Sequence, residues 1–268
     1  MTGPLAARLP GGRLHLQHGP IDLIIEAFGA RGEVERAYGQ AIERFGDILE
    51  TLVKELPALR RPVGDQFPEF EGPVARRMAD AVWPHRARYI TPMAAVAGAV
   101  ADEMLQAMLA GRTLDKAYVN DGGDIAFHLV PGQELKAAIF VNHLDGAVRL
   151  GHDNPVRGIA TSGWGGRSFS LGIADSVTVM AHTAAEADAA ATLVANAVNA
   201  DHWAIERKPA RALDPDSDLG DLPVTTSVGR LPAEIVSEAL GRGAAEARRL
   251  RLGAALCLQG DWRLLEAA

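Results

Sequence analysis

Four stretches of this chain carry oxygen-bearing side chains at spacings that suit chemistry. Asp188-Ala-Ala-Ala-Thr192 places a carboxylate and a hydroxyl four residues apart, which on a helix puts both on one face, one turn from each other. These are hard oxygen donors. They suit part of an Mg²⁺ or Ca²⁺ shell that carbonyls, waters and ligand phosphates would complete. The plainer alternative is an acid near a helix start, favoured there by the helix dipole. Asn120-Asp-Gly-Gly-Asp124 reads as a hairpin turn and equally as a binding loop, because Gly122 and Gly123 let a ligand approach the backbone while Asn120, Asp121 and Asp124 offer oxygens. Asp121 or Asp124 would then be the candidate general base.

The third stretch, Ala160-Thr-Ser-Gly-Trp-Gly-Gly-Arg167, mixes hydroxyls (Thr161, Ser162), glycines (Gly163 onward), one aromatic face (Trp164) and one guanidinium (Arg167). Glycine-rich backbone can form an anion nest, Arg167 can hold a phosphate and Trp164 can stack on a ring, so a nucleotide fits. A glycine-rich surface loop with a packing tryptophan fits as well. The fourth, Asp214-Pro-Asp-Ser-Asp-Leu-Gly-Asp221, resembles a calcium loop only superficially. Its glycine falls one place late and Thr225 stands where the twelfth-position Glu belongs, which leaves Asx turns or a specific ligand loop.

The elements that must position these groups are readable from periodicity. Arg13–His18 and Ile21–Phe28 read as strands around Gly19-Pro20, and Glu33–Leu56 repeats its apolar positions at three and four, which predicts one long amphipathic helix. The proline-rich 57–73 stretch reads as a loop, and helices are expected over Ala75–Val82 and Met93–Ala110, the latter with Gly98 permitting close packing. Ala117–Val119, Ile125–Val130 and Leu135–Val141, punctuated by Asp-Gly and Pro-Gly, predict an antiparallel meander. Strands are expected at Gly158–Gly163 and Asp175–Ala181. Thr183-Ala-Ala-Glu186 is a capping-box pattern opening a helix to Asn199. Val224–Val228 and Ala254–Leu258 read as strands, with a helix between Pro232 and Leu250. Hairpins dominate, so the fold class is α+β, antiparallel sheets covered by helices.

Composition narrows the function. Lys+Arg 27 against Asp+Glu 34 gives a net charge of −7, and Arg248, Arg249 and Arg251 read as a solvated helix face, so nucleic acid is not an expected partner. A single cysteine, Cys257, excludes a disulfide framework and any multi-cysteine zinc site and fits a reducing compartment. The apolar run Met93–Ala101 is too short to span a bilayer, and the first sixteen residues lack the apolar stretch of a signal peptide. A cytoplasmic protein with no membrane partner is expected. P-loop, Rossmann and zincin signatures are missing, and Thr161-Ser-Gly163 lacks the first glycine of a nucleophile elbow.

Taken in order, Thr91–Asp102, Asn120–Asp124, Ala160-Thr-Ser-Gly163, Ser176-Val-Thr-Val179 and Asp188-x-x-x-Thr192 resemble the ApbE-like superfamily, whose best-known members are FAD:protein FMN transferases. The resemblance covers about residues 90–200 and looks like an uncharacterised branch. It implies a T-fold-like architecture, with residues 1–268 as a single ApbE-like domain. It also implies a flavin or other nucleotide-type small-molecule ligand (FAD or FMN), Mg²⁺ held by Asp188 and Thr192, and a cleft near Gly122, Gly123 and Ser162. Any chemistry would be metal-assisted nucleotidyl or phosphoryl transfer. The chain departs from the transferases in three places: Ala97 stands where they carry Lys before the glycine, Met93 and Ala94 stand where they carry a double glycine, and only Trp164–Asp175 occupies the region of their His-x-x-Asp-Pro-x-Thr-Gly motif. A non-catalytic cofactor carrier or sensor is therefore the alternative, and association into a homo-oligomer stays open.

Overall fold

The turn signals of the first half resolve into an antiparallel meander. In the computed structural model, which describes residues 3–141 and 144–267, β1 (Leu5–Arg8), β2 (Leu14–His18) and β3 (Ile21–Phe28) pair in sequence. Alternation in β3 turns Ile21, Leu23, Ile25 and Ala27 inward, the period-2 pattern of a sheet with one buried face. The chain then forms α1 (Arg31–Phe45), α2 (Ile48–Leu59), α3 (Pro73–Val82) and α4 (Val96–Leu109), and returns through β4 (Lys116–Asp121) and β5 (Asp124–Leu129). β6 (Glu134–Val141) and β7 (Leu144–Gly151) pair as a separate ribbon.

The second half runs β8 (Gly158–Ser162), β9 (Ser176–Ala181), α5 (Ala184–Ala197), β10 (Ile205–Pro209), the single turn α6 (Ala210–Leu213), β11 (Pro223–Val228), α7 (Ala233–Leu250), β12 (Gly253–Leu258) and β13 (Asp261–Leu265). Where the sequence predicts one helix over Glu33–Leu56, the structure has two, because Gly46 and Asp47 interrupt it. Glycine is a poor helix former, and Asp47 lies off the helical path at φ −119°, ψ 0°. The 57–73 loop starts later than expected. Pro57 sits in the last turn of α2, and the irregular stretch begins at Arg60. Strands β1, β7, β10 and β13 have no counterpart in the sequence reading; β1 is exposed along its whole length and carries no apolar alternation.

The chain forms two compact units. The first comprises Met1–Ala137, Val148–Ile159 and Ala181–Ala187; the second comprises Ala138–Ala147, Ala160–Met180 and Asp188–Ala268. In the first, α4 packs on β4 and β5 and is flanked by α1 and α3. Glu103 of α4 ties the three helices together, accepting from Arg44 Nε at 2.9 Å and Arg77 Nε at 3.0 Å. In the second, β12 lies between β9 and β13, and α7 packs on β12 and β13. β12 is buried at every position.

Backbone-on-backbone contact fixes one junction in the first unit. A Cβ added at Gly98 of α4 would stand 2.2 Å from the Ala184 carbonyl oxygen, and one at Gly158 would stand 2.1 Å from Thr183. Only glycine permits such approaches. They bring the beginnings of α4, β8 and α5 together, and Gly158 is the register partner of Ala126 in β5.

Candidate functional site

In the first unit, β4 and β5 turn through Gly122 and Gly123 with φ of 64° and 116°, values a two-residue hairpin requires and a side chain resists. Asn120 Oδ1 accepts from Gly123 N at 2.8 Å, locking the turn. Asp121 and Asp124 are register partners across it, and both are buried, 4% and 8% exposed.

The start of α5 belongs to the same unit. Thr183 Oγ1 accepts from Glu186 N at 3.1 Å, as the capping box predicts. The sequence reading missed Asp102, whose two carboxylate oxygens accept from Ala184 N at 3.1 Å and Ala185 N at 2.9 Å. This carboxylate satisfies two of the amides that open a helix and interacts with its positive dipole end. Burial pushes the Asp102 carboxyl above its ordinary value, with the two amide bonds pulling the other way. The available signal was an Asp-Glu pair inside the run from Met93 to Leu109, whose only other polar side chain is Gln106. Tyr118 donates to Glu26 at 2.8 Å, and burial raises its phenol to about 12, so it stays protonated at neutral pH.

In the second unit, Thr161 is exposed, Ser162 half-buried and Gly163 buried. Thr161 and Thr178 hydroxyls meet at 2.9 Å. Trp164 is held at two points: its backbone N donates to Ala174 O at 3.0 Å and its indole Nε1 to Asp175 Oδ1 at 3.3 Å. Asp175 also accepts from Gln259 N, so one carboxylate joins the Trp164 loop to the β12–β13 turn. In the sequence reading Asp175 marked only the end of a segment and carried no role. Arg167 is exposed. Asp188 and Thr192 are both half-buried on α5, whose intervening Ala189, Ala190 and Ala191 are buried. The pair therefore lies on the more accessible face of a largely buried helix, with Glu186 exposed two residues before Asp188 and Asn196 half-buried one turn after Thr192. As hard oxygens one turn apart, they fit a divalent cation. Among the described residues no group of three His, Cys, Asp or Glu side chains comes together as a metal site. Cys257 is buried, which raises its thiol and keeps it protonated.

Each candidate thus sits with its own unit: Asn120, Asp121, Gly122, Gly123 and Asp124 in the first, Thr161–Arg167, Asp188 and Thr192 in the second. A family model described as AbpE bacteria matches residues 6–264, nearly the whole length. The chain belongs to this family. Among the relatives of this AbpE-family chain, a UPF0280 protein of Methanothermobacter thermautotrophicus is 34% identical over 179 residues, 63% of this chain and 68% of that one. Two solved structures share the fold at low identity. The flavin transferase ApbE from Vibrio cholerae, as a histidine-to-glycine mutant, gives a TM-score of 0.53 at 11% identity, covering 100% of this chain and 98% of its own. The apbe protein of Thermotoga maritima gives 0.52 at 13% identity, covering 98% and 97%. The architecture is ApbE-like, mixed helices and antiparallel sheets, and among the described residues no helix is long and apolar enough to cross a membrane.

Proposed function

We propose that this AbpE-family protein acts in the cytoplasm as a single ApbE-like domain that binds a flavin or other nucleotide-type cofactor and transfers a nucleotidyl or phosphoryl group from it. The observation that carries the reading is the buried, opposed pair Asp121 and Asp124 on a glycine turn. Buried carboxyl groups held on a turn whose glycines admit a ligand suit orienting or deprotonating an acceptor hydroxyl. Asn120 fixes the turn, and Gly122 and Gly123 leave its backbone open to the ligand. Thr161, Ser162 and Gly163 offer hydroxyls and amides. Arg167 pairs with phosphate, and Trp164, braced by Asp175, presents a ring for stacking. Asp188 and Thr192 would hold Mg²⁺, which when bound neutralises charge on a pyrophosphate.

A second reading is a carrier or sensor without turnover. It is favoured by Ala97, which stands beside Gly98 where the transferases carry Lys. A thermal-shift titration with FAD, FMN and ATP, each with and without Mg²⁺, tests binding. The expected result is Mg²⁺-dependent stabilisation by a flavin nucleotide that is lost in Asp188→Ala, since a ligand that binds only the folded state raises its stability. No shift with any nucleotide overturns the reading. Stabilisation without release of FMN or AMP selects the carrier.

A further inference from the structure

The face of α5 that carries Asp188 and Thr192 continues past them. Asn196 follows Thr192 by four residues, so the three side chains stand in one row. All three are half-buried, whereas residues 189–191 and 193–195 between them are buried. Asn199 stands two residues beyond the end of the helix. The two asparagines hold the peptide of Leu171 from both sides. Asn196 Oδ1 accepts from Leu171 N at 2.9 Å and from the Ser170 hydroxyl at 3.2 Å, and Asn199 Nδ2 donates to Leu171 O at 2.8 Å. A Cβ at Gly172 would stand 2.0 Å from Ala195 O, and Ile173 N donates to Val198 O at 2.8 Å. Ser170 O in turn accepts from Thr225 N at 2.9 Å, which ties the same segment to β11. At its other end this loop is anchored by Trp164 on Ala174 and Asp175. Between the two anchors Gly165–Phe169 is exposed throughout and contains Arg167. Every group named lies in the second unit.

We propose that Asn196 is a positioning residue: through Ser170 and Leu171 it sets where Arg167 stands relative to Asp188 and Thr192, so that one ligand diphosphate meets the guanidinium and the cation together. This rests on the reading above, in which Asp188 and Thr192 hold Mg²⁺ and Arg167 holds a phosphate. The spacing suits it. Asn196 begins the clamp about 5.4 Å, one helical turn, from Thr192, and Arg167 precedes the clamped Ser170 by three residues, at most about 10 Å of extended chain. An arginine and a divalent cation on neighbouring phosphates divide the charge of a diphosphate between them. A guanidinium on a loop already fixed at both ends also loses less freedom on binding than one on a free loop, so the clamp raises affinity without touching the ligand.

Hydrogen exchange of the ligand-free chain tests the clamp, and calorimetric titration with FAD and Mg²⁺ tests its purpose. In Asn196→Ala, peptides covering residues 164–172 should exchange at least tenfold faster than in wild type, while those covering β12 stay unchanged and show that the unit is folded. FAD should bind this variant at least tenfold more weakly. In an Arg167→Ala background the same substitution should cost no further affinity, because Asn196 acts through that guanidinium; a merely structural role would cost the same in both backgrounds. Ser170→Ala, which removes one of the two donors to Asn196, should give the same changes in smaller measure and serves if Asn196→Ala does not fold. With a wild type that binds FAD, unchanged loop exchange or an equal loss in both backgrounds overturns the proposal alone. A wild type that binds no FAD overturns the nucleotide reading and the role drawn from it, and faster loop exchange would then mark the clamp as structural.

Discussion

The Asn120–Asp124 turn and the Asp214–Asp221 loop are written in nearly the same residues, Asp, Gly and one further polar side chain, yet the structure treats them oppositely. In the first, Asp121 and Asp124 are buried opposite each other on paired strands. In the second, Asp214, Asp216 and Asp221 are exposed. There Asp214 Oδ1 accepts from Asp216 N at 2.9 Å in an Asx turn, and Arg211 pairs with Asp221. The difference lies in what stands behind each turn. The Asn120–Asp124 turn ends two strands of a five-strand meander and lies two residues from Ala126, the register partner of Gly158 in the backbone-packed junction. The acidic loop is held by its own short-range bonds. Carboxylates are kept out of water where a rigid frame can hold them there, and burial, more than composition, marks a candidate site.

The largest expected effect comes from disturbing that frame. Gly158→Ala puts a Cβ 2.1 Å from Thr183 backbone atoms, which cannot move aside as a side-chain end would. Urea denaturation should show a loss of about 3 kcal/mol or more, the upper range of overpacking. Gly220→Ala, in the acidic loop at φ 54° with nothing within 4 Å of the added Cβ, should cost only about 1 kcal/mol for the left-handed backbone. Equal costs would break the comparison.

Asp102 comes next. Asp102→Ala strips the acceptor from two amides at the start of α5, and a loss of about 2 kcal/mol is expected in the same measurement. Its pH dependence has a definite sign. Burial raises the folded-state carboxyl above the ordinary 3.8, so the stability this group contributes is present in full below that value and is lost as pH rises through the folded value. The stability of wild type relative to Asp102→Asn should therefore fall as pH rises from below 3.8 through the mildly acid range. A flat or rising difference contradicts the assignment.

Much of this frame was legible in the sequence because it rests on local rules. The Asp-Gly turn, the capping box at Thr183 and Glu186 and the amphipathic periodicity of α1 and α2 each follow from residues within one or two turns. Gly98 announced a close approach, though its partner Ala184 did not. Asp102 was beyond such reading because its two acceptors serve amides more than eighty residues away. Asp175 was equally hidden, since its bond to Gln259 depends on β9 and β12 being neighbours. The exposed edges β1 and β13 carry no apolar alternation to betray them, and only their pairing makes them strands. The candidate site was visible as residue types, while its distinction from the acidic loop needed burial.

The finest comparison replaces one carboxylate in each turn by its amide. Asp121→Asn keeps the size and one acceptor oxygen opposite Asp124, so ligand-free stability should move by no more than about 1 kcal/mol. The thermal shift given by a flavin nucleotide with Mg²⁺ should nevertheless disappear, because the ligand loses the group that orients it. Asp214→Asn keeps the Oδ1 acceptor of its Asx turn and lies in water, so both its free stability, within about 0.5 kcal/mol, and its nucleotide shift should match wild type. If Asp214→Asn also abolished the shift, the exposed loop would belong to the binding surface, and burial would no longer separate a working acid from a turn-forming one in this chain.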